Sequence, residues 1–309
     1  MKKLLLIIAA LSVAVLAALQ FLTQPRAAIQ LAHYYDYDRT FPLHVQERKI
    51  AEGLYHVTFN SVHQVRVPAL LRLPLHATPP YPAVIMLHGI GDHKDKPYMA
   101  IGDSILAAAG FAVLRPDFAL HGERVQEPLD HKTLRKHLYT VRDAIAQTVF
   151  DLRRAVDYLD SRADIDSTRT AFIGISLGGI TGTVFCAVEE RIELPILALA
   201  GGGLRWALGK DAFSEKLLDM IAPIEPLNFA QRLESRPVLF LNAERDEVIP
   251  KLASVMLQQA VPGEKEVIWY DAGHQISADR AFADCRDWLL ARMGSLDSAA
   301  PGRFVETSE

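Results

Sequence analysis

The sequence predicts an α/β fold: one sheet of about eight mostly parallel strands with helices on both faces. Three observations carry that reading. Short, solid apolar runs alternate with longer stretches whose apolar residues recur every three or four positions. Most runs end in glycine or polar loops. The composition, 50% hydrophobic and 23% charged over 309 residues, is that of an ordinary globular chain. Strands separated by helices must pair in parallel, because each crossover lays its helix on a sheet face.

Each element can be justified in turn. Gly53–Ser61 and Val65–Leu73 alternate in part and read as a hairpin at one edge, after a polar lead-in from His33 to Glu47. Ala83–Leu87 is solidly apolar, as suits a strand buried on both faces, and ends in His88-Gly89. Tyr98–Ala109 is helical in composition and stops at Gly110; Phe111–Leu114 is the next buried strand. Val141, Ile145, Val149, Leu152, Val156 and Leu159 make 140–159 an amphipathic helix. Thr170–Ile175 is a strand running into Ser176, and Gly178–Glu189 a helix. Ile196–Ala200, Val238–Asn242 and Val267–Tyr270 complete the strands; helices Lys251–Ala260 and Ala278–Arg292 follow the last two. The stretch 205–236 is too short for a domain and reads as a small helical cap, and 294–309 as a polar, frayed tail.

Met1-Lys2-Lys3 precedes an uncharged run that is almost wholly apolar from Leu4 to Leu22. At 1.5 Å per residue it spans roughly 28 Å, about one hydrocarbon core. Residues 1–27 therefore read as a signal peptide or an N-terminal membrane anchor. The missing Ala-x-Ala site favours the uncleaved anchor. Either way the body, 28–293, is expected outside the cytoplasm: periplasmic or exterior, membrane-anchored or secreted.

Charge and cysteine content exclude other classes. Thirty-three basic against 37 acidic residues leave a net charge of −4, with no basic footprint for nucleic acid. Two cysteines, Cys186 and Cys285, cannot build a disulfide scaffold or a thiolate zinc site. They fall in helices expected on opposite sheet faces and read as free buried thiols. His88, Asp92, His93 and Asp95 lack metal-ligand spacing and read as a solvated polar loop. No metal or cofactor is expected.

The chemistry concentrates in Gly174-Ile175-Ser176-Leu177-Gly178, at a strand-to-helix junction. Glycines flanking the serine remove side chains that would clash in a sharp turn, leaving the hydroxyl above the sheet. A serine hydroxyl needs a neutral imidazole to take its proton. His274, just past the last strand in Asp271-Ala272-Gly273-His274, is best placed. An acid should orient that imidazole. Asp246 follows the preceding strand far enough for its loop to curl back, with Glu244, Glu247 and Asp271 as rivals. Backbone N–H groups of Leu177 and Ile90 are the candidate oxyanion donors. Phe118, Trp206 and Phe213, with Leu204 and Leu208, are candidates to line the substrate pocket, or equally ordinary packing.

Together these motifs resemble the α/β-hydrolases over roughly residues 40–292. The resemblance is to the branch of dienelactone hydrolases, prolyl-oligopeptidase-like domains and small bacterial carboxylesterases. His88-Gly89-Ile90-Gly91, Arg115-Pro116-Asp117-Phe118-Ala119-Leu120-His121-Gly122, the Ser176 turn, Arg245–Pro250 and Ala272–His274 carry it. It implies Ser176 as nucleophile, Asp246 as acid, His274 as base, Ile90 and Leu177 as oxyanion donors, and Asp117 with His121-Gly122 as rim-shaping residues. The implied activity is hydrolysis of short to medium acyl esters, acting on a small-molecule partner. The same triad would serve a serine peptidase or acyltransferase, and a non-catalytic binding protein could share the fold.

Overall fold

The computed structural model describes residues 28–125, 137–206 and 214–299. The strands are β1 (Gln46–Ala51), β2 (Leu54–Asn60), β3 (Arg66–Arg72), β4 (Tyr81–Leu87), β5 (Ala112–Pro116), β6 (Ile165–Ile175), β7 (Leu194–Ala198), β8 (Val238–Ala243) and β9 (Lys265–Tyr270). They form one nine-stranded sheet in the order β1-β2-β3-β5-β4-β6-β7-β8-β9. The first three strands pair antiparallel and β3 meets β5 antiparallel; all later pairs are parallel. The ninth strand, against the eight expected, is β1. All six of its residues are exposed, so it carries no burial pattern in the sequence.

The helices of seven or more residues are α1 (Pro97–Ala108), α2 (Leu138–Asp160), α3 (Leu177–Val188), α4 (Glu215–Ile221), α5 (Lys251–Ala260) and α6 (Ala278–Ala299). Helices α1 and α6 cover one face through Met99, Leu106, Phe282, Cys285 and Leu289. Helices α2, α3 and α5 cover the other, where Val149, Leu152, Phe185 and Leu257 meet Phe172 and Phe240. Fully burying one such side chain stabilises the fold by roughly 1.5–3 kcal/mol. Cys186 and Cys285 are buried and unpaired, one in each layer.

Three expectations need correction. Strand β6 begins at Ile165 rather than Thr170. Its register against β4 jumps from Pro82–Asp166 to Ala83–Thr170, so a polar bulge interrupts the apolar run. Helix α6 continues through Gly294 to Ala299; the next strong breaker is Pro301. Of the expected cap, 205–236, the stretch 214–236 packs as part of the core instead. Met220, Ile221, Ile224, Phe229 and Leu233 bury into the α2–α3 layer, because that apolar spacing has a helix layer beside it to pack on. No helix among the described residues is long and apolar enough to cross a membrane. The expected N-terminal anchor, Leu4–Leu22, lies outside those residues.

The strand order determines where a site can form. From β4 the chain crosses to β5 on one side and then to β6 on the other. Loops leaving the carboxyl ends of β4 and β6 thus diverge and open a crevice, the usual ligand position in open parallel sheets.

Candidate active site

Ser176 sits in that crevice between β6 and α3, with φ 55° and ψ −117°. Such a conformation is costly for a residue with a side chain and persists only where its surroundings enforce it. Here they do. The Ser176 N–H donates to Ala198 O at 2.9 Å, and its own carbonyl accepts from Gly179 and Ile180 N–H at 2.8 and 2.9 Å. A Cβ on Gly174 would stand 2.3 Å from Gly178 O, and one on Gly178 2.4 Å from Leu87 O. Both glycines are therefore steric requirements of the turn.

His274 reaches the serine from the loop after β9. Its Nε2 is 2.9 Å from Ser176 Oγ, and its Nδ1 is 2.9 Å from both carboxylate oxygens of Asp246. A carboxylate can only accept, so Nδ1 carries the proton and Nε2 is left to accept from the serine hydroxyl. Asp246 comes from the loop after β8. Its Oδ1 also accepts from Val248 and Ile249 N–H, both at 2.8 Å, which locks the carboxylate against rotation. The Asp246 side chain is 5% exposed and that of His274 17%: the pair is shielded while the imidazole edge stays reachable.

The rival acids are occupied elsewhere. Glu244 pairs with Lys251 and Asp271 with Arg245. Glu247 accepts the His274 backbone N–H at 3.1 Å, holding the loop rather than the ring.

The turn after β4 faces the serine. A Cβ on Gly89 would lie 3.4 Å from Ser176 Cβ, so the backbone at Gly89-Ile90 passes close by. Leu177 opens α3, where backbone N–H groups lack partners within the helix and favour negative charge. Tyr98 braces this turn: its hydroxyl accepts from Gly89 N–H at 3.2 Å and donates to Asp92 Oδ2 at 3.0 Å.

Beneath the turn, the expected solvated loop is in part a buried network. His88 is fully buried; its Nε2 accepts from Phe118 N–H at 3.1 Å and its Nδ1 donates to Gly89 O at 2.8 Å. Burial pushes its pKa down to about 4. Lys94, 1% exposed, donates through its Nζ to Asp117 at 2.9 Å. Asp117 also accepts Lys94 N–H at 2.8 Å and Glu123 N–H at 3.0 Å. Gly122 has φ 54°, and a Cβ there would stand 2.3 Å from the Asp117 carboxyl. No group of three or more side chains suited to a metal occurs among the described residues.

A cavity of about 590 Å³ opens beside the serine, lined by Gly89, Ile90, Ser176, His274 and residues of β6–β8, α1 and α6. Of the expected pocket residues, Phe118, Leu204 and Trp206 are described, and none of the three lines it. Phe118 is 1% exposed and packs edge-on against His121, its ring centroid 5.1 Å away. Apolar character thus put it in the core rather than in a pocket. Trp206 is 44% exposed and stands against Gly203. Phe213 and Leu208 lie outside the described residues. The sequence reading missed Tyr98 and the α6 wall of the cavity, and weighed Glu247 only as a rival acid. That wall had a visible signal: Ala278, Ala281, Phe282 and Cys285 share one helix face by spacing.

Comparison with known proteins agrees with this architecture. The chain is 32% identical over 122 residues to alpha/beta hydrolase domain-containing protein WAV2 of Arabidopsis thaliana, covering 35% of this chain and 39% of that one. It is 27% identical over 207 residues to esterase YjfP of Escherichia coli (strain K12), covering 60% of this chain and 80% of that one. Acetyl xylan esterase 1 from Thermoanaerobacterium sp. JW/SL YS485 superimposes with a TM-score of 0.68 at 18% identity, covering 89% of this chain and 98% of that one. At that identity the likeness concerns the fold. The dienelactone hydrolase family profile matches residues 67–288, well over half of the sequence, and the chain belongs to the dienelactone hydrolase family of α/β-hydrolases.

Proposed function

We propose that this protein hydrolyses carboxylic esters of small-molecule substrates through an acyl-enzyme formed on Ser176. The observation that carries the reading is the bridging imidazole of His274, 2.9 Å from Ser176 Oγ on one side and 2.9 Å from Asp246 on the other. As Ser176 Oγ attacks the ester carbonyl, its proton passes to His274 Nε2. Asp246 stabilises the imidazolium that results. The backbone N–H groups of Ile90 and Leu177 hold the oxyanion; one such donor is commonly worth about 10²–10³ in rate. Collapse of the tetrahedral intermediate breaks the carbonyl–alkoxide bond, and the alcohol leaves with the proton from His274. Water, deprotonated by the same imidazole, then releases the acid and restores the hydroxyl. The esterase and hydrolase names of relatives support this class of reaction. The Lys2-Lys3 and Leu4–Leu22 pattern supports export of the body in the same reading.

The test is hydrolysis of p-nitrophenyl esters by the protein and its Ser176→Ala variant. We expect kcat to fall about 10⁴–10⁶-fold in the variant, the range found when the nucleophile of such a triad is removed. Folded protein that turns over peptide or other amide bonds but no ester would replace this reading with a peptidase.

A further inference from the structure

The cavity beside Ser176 has two unlike ends. At its mouth, Lys96 pairs with Asp92 at 3.1 Å, with side chains 36% and 28% exposed. At its other end lie Phe282 and Cys285, 4% and 1% exposed. Between them run Ile175 and Ile173 of β6, with Ala278 and Ala281 of α6 opposite. Two features of the sequence keep this space open. Ile173 and Ile175 are two apart on a strand and therefore share one sheet face. Residues 278, 281 and 285 share one helix face, and all three are small, so α6 stands over the sheet without filling the gap.

The volume of about 590 Å³ leaves room for a medium-length acyl chain beside the reacting carbonyl. The inner arm presents aliphatic, aromatic and thiol side chains and no ionised group. Burial pushes the Cys285 thiol well above its ordinary pKa, so it stays neutral.

We infer that this inner arm is the acyl site: it takes the unbranched, apolar, medium-length acyl chain of the ester, with Ala281 and Phe282 setting the chain length accepted. The inference rests on the esterase reading and adds the substrate class to it. The direction follows from the order of events. The alcohol must escape to water before the second step, so it belongs at the exposed mouth. The acyl group stays attached to Ser176 until water releases it, and a closed apolar arm suits the retained group. Each methylene moved from water into such a wall favours the longer ester by a factor of about four before ordering costs.

The test compares p-nitrophenyl acetate, butyrate, octanoate and palmitate with the protein and its Ala281→Phe and Phe282→Ala variants, each checked for folding by its thermal melt. We expect kcat/KM to rise at least tenfold from acetate to octanoate and to fall at palmitate. Ala281→Phe should lower the octanoate-to-acetate ratio at least tenfold, and Phe282→Ala should move the optimum to longer chains. In parallel, octanoate and acetate are titrated calorimetrically into the Ser176→Ala protein, which should bind octanoate much more tightly. Ester turnover that prefers acetate, with a ratio unmoved by Ala281→Phe, overturns the acyl site and leaves the esterase reading standing. Octanoate binding to Ser176→Ala, weakened by an added Ala281→Phe, with no ester turned over by the parent protein, keeps the apolar site and overturns the esterase reading.

Discussion

The turn after β4 and the paired loops after β8 and β9 each carry a histidine near the same crevice, and their surroundings give the two rings opposite properties. His274 stands on loops that leave it partly exposed. Its outer nitrogen is spent on a carboxylate and its inner one faces Ser176. His88 is fully buried, and both its nitrogens are engaged by backbone, Phe118 N–H on one side and Gly89 O on the other. A ring so held has no nitrogen left for a substrate proton. It acts instead as a strut, joining the Gly89-Ile90 turn to the segment after β5. The lesson is that residue type assigns neither role; the partners supplied by neighbouring loops do.

Between the two histidines, the larger effect is expected on the His274 side. In Asp246→Asn the amide can donate to Nδ1, which drives the ring proton to Nε2 and leaves it unable to accept from the serine. We expect kcat on esters to fall about 10⁴-fold with the thermal melt nearly unchanged. A loss below tenfold would assign the orienting role to another acid.

The second prediction acts on the His88 side and is read in stability. Its pKa in the folded chain, about 4, lies below the ordinary 6.5. As the pH falls the unfolded chain therefore takes up the proton first. The stabilisation is complete above about 6.5 and is lost as the pH falls toward about 4, roughly 3 kcal/mol at 1.4 kcal/mol per unit. His88→Asn should flatten the stability–pH slope across that window by about one proton, measured by urea unfolding at a series of pH values. An unchanged slope would show that His88 is not held neutral by the fold.

The smallest effect sharpens the comparison within the His274 loop itself. Glu247 touches only the backbone of residue 274, and glutamine keeps an accepting oxygen. Glu247→Gln should change kcat/KM by less than about fivefold, since a neutral hydrogen bond replaces a charge-assisted one. A loss near that of Asp246→Asn would mean that the two carboxylates share the orienting role.

Legibility followed burial pattern and local motif. The central strands, the α2 periodicity and the glycines around Ser176 could be read because each imposes a pattern on nearby residues. Strand β1 could not, since an edge strand with six exposed residues leaves no apolar alternation. The first part of β6 was hidden by its polar bulge. Phe118 admits both readings, pocket and packing, because an aromatic near a catalytic motif looks the same in sequence whether it faces a cavity or the core. The stretch 205–236 reads as a cap because apolar spacing reveals that a face is buried and not what buries it.

Local sequence dictates the α/β class, the strand-to-helix turn at Ser176 and the choice of residues that can be brought to it. These follow from steric rules and periodicities that act over a few positions. Which acid meets His274, which aromatic joins the core and where a cavity opens were decided only by the tertiary structure. Those outcomes depend on contacts between loops up to about a hundred residues apart, closed by the strand order of the sheet, and no local pattern encodes a distance of that kind.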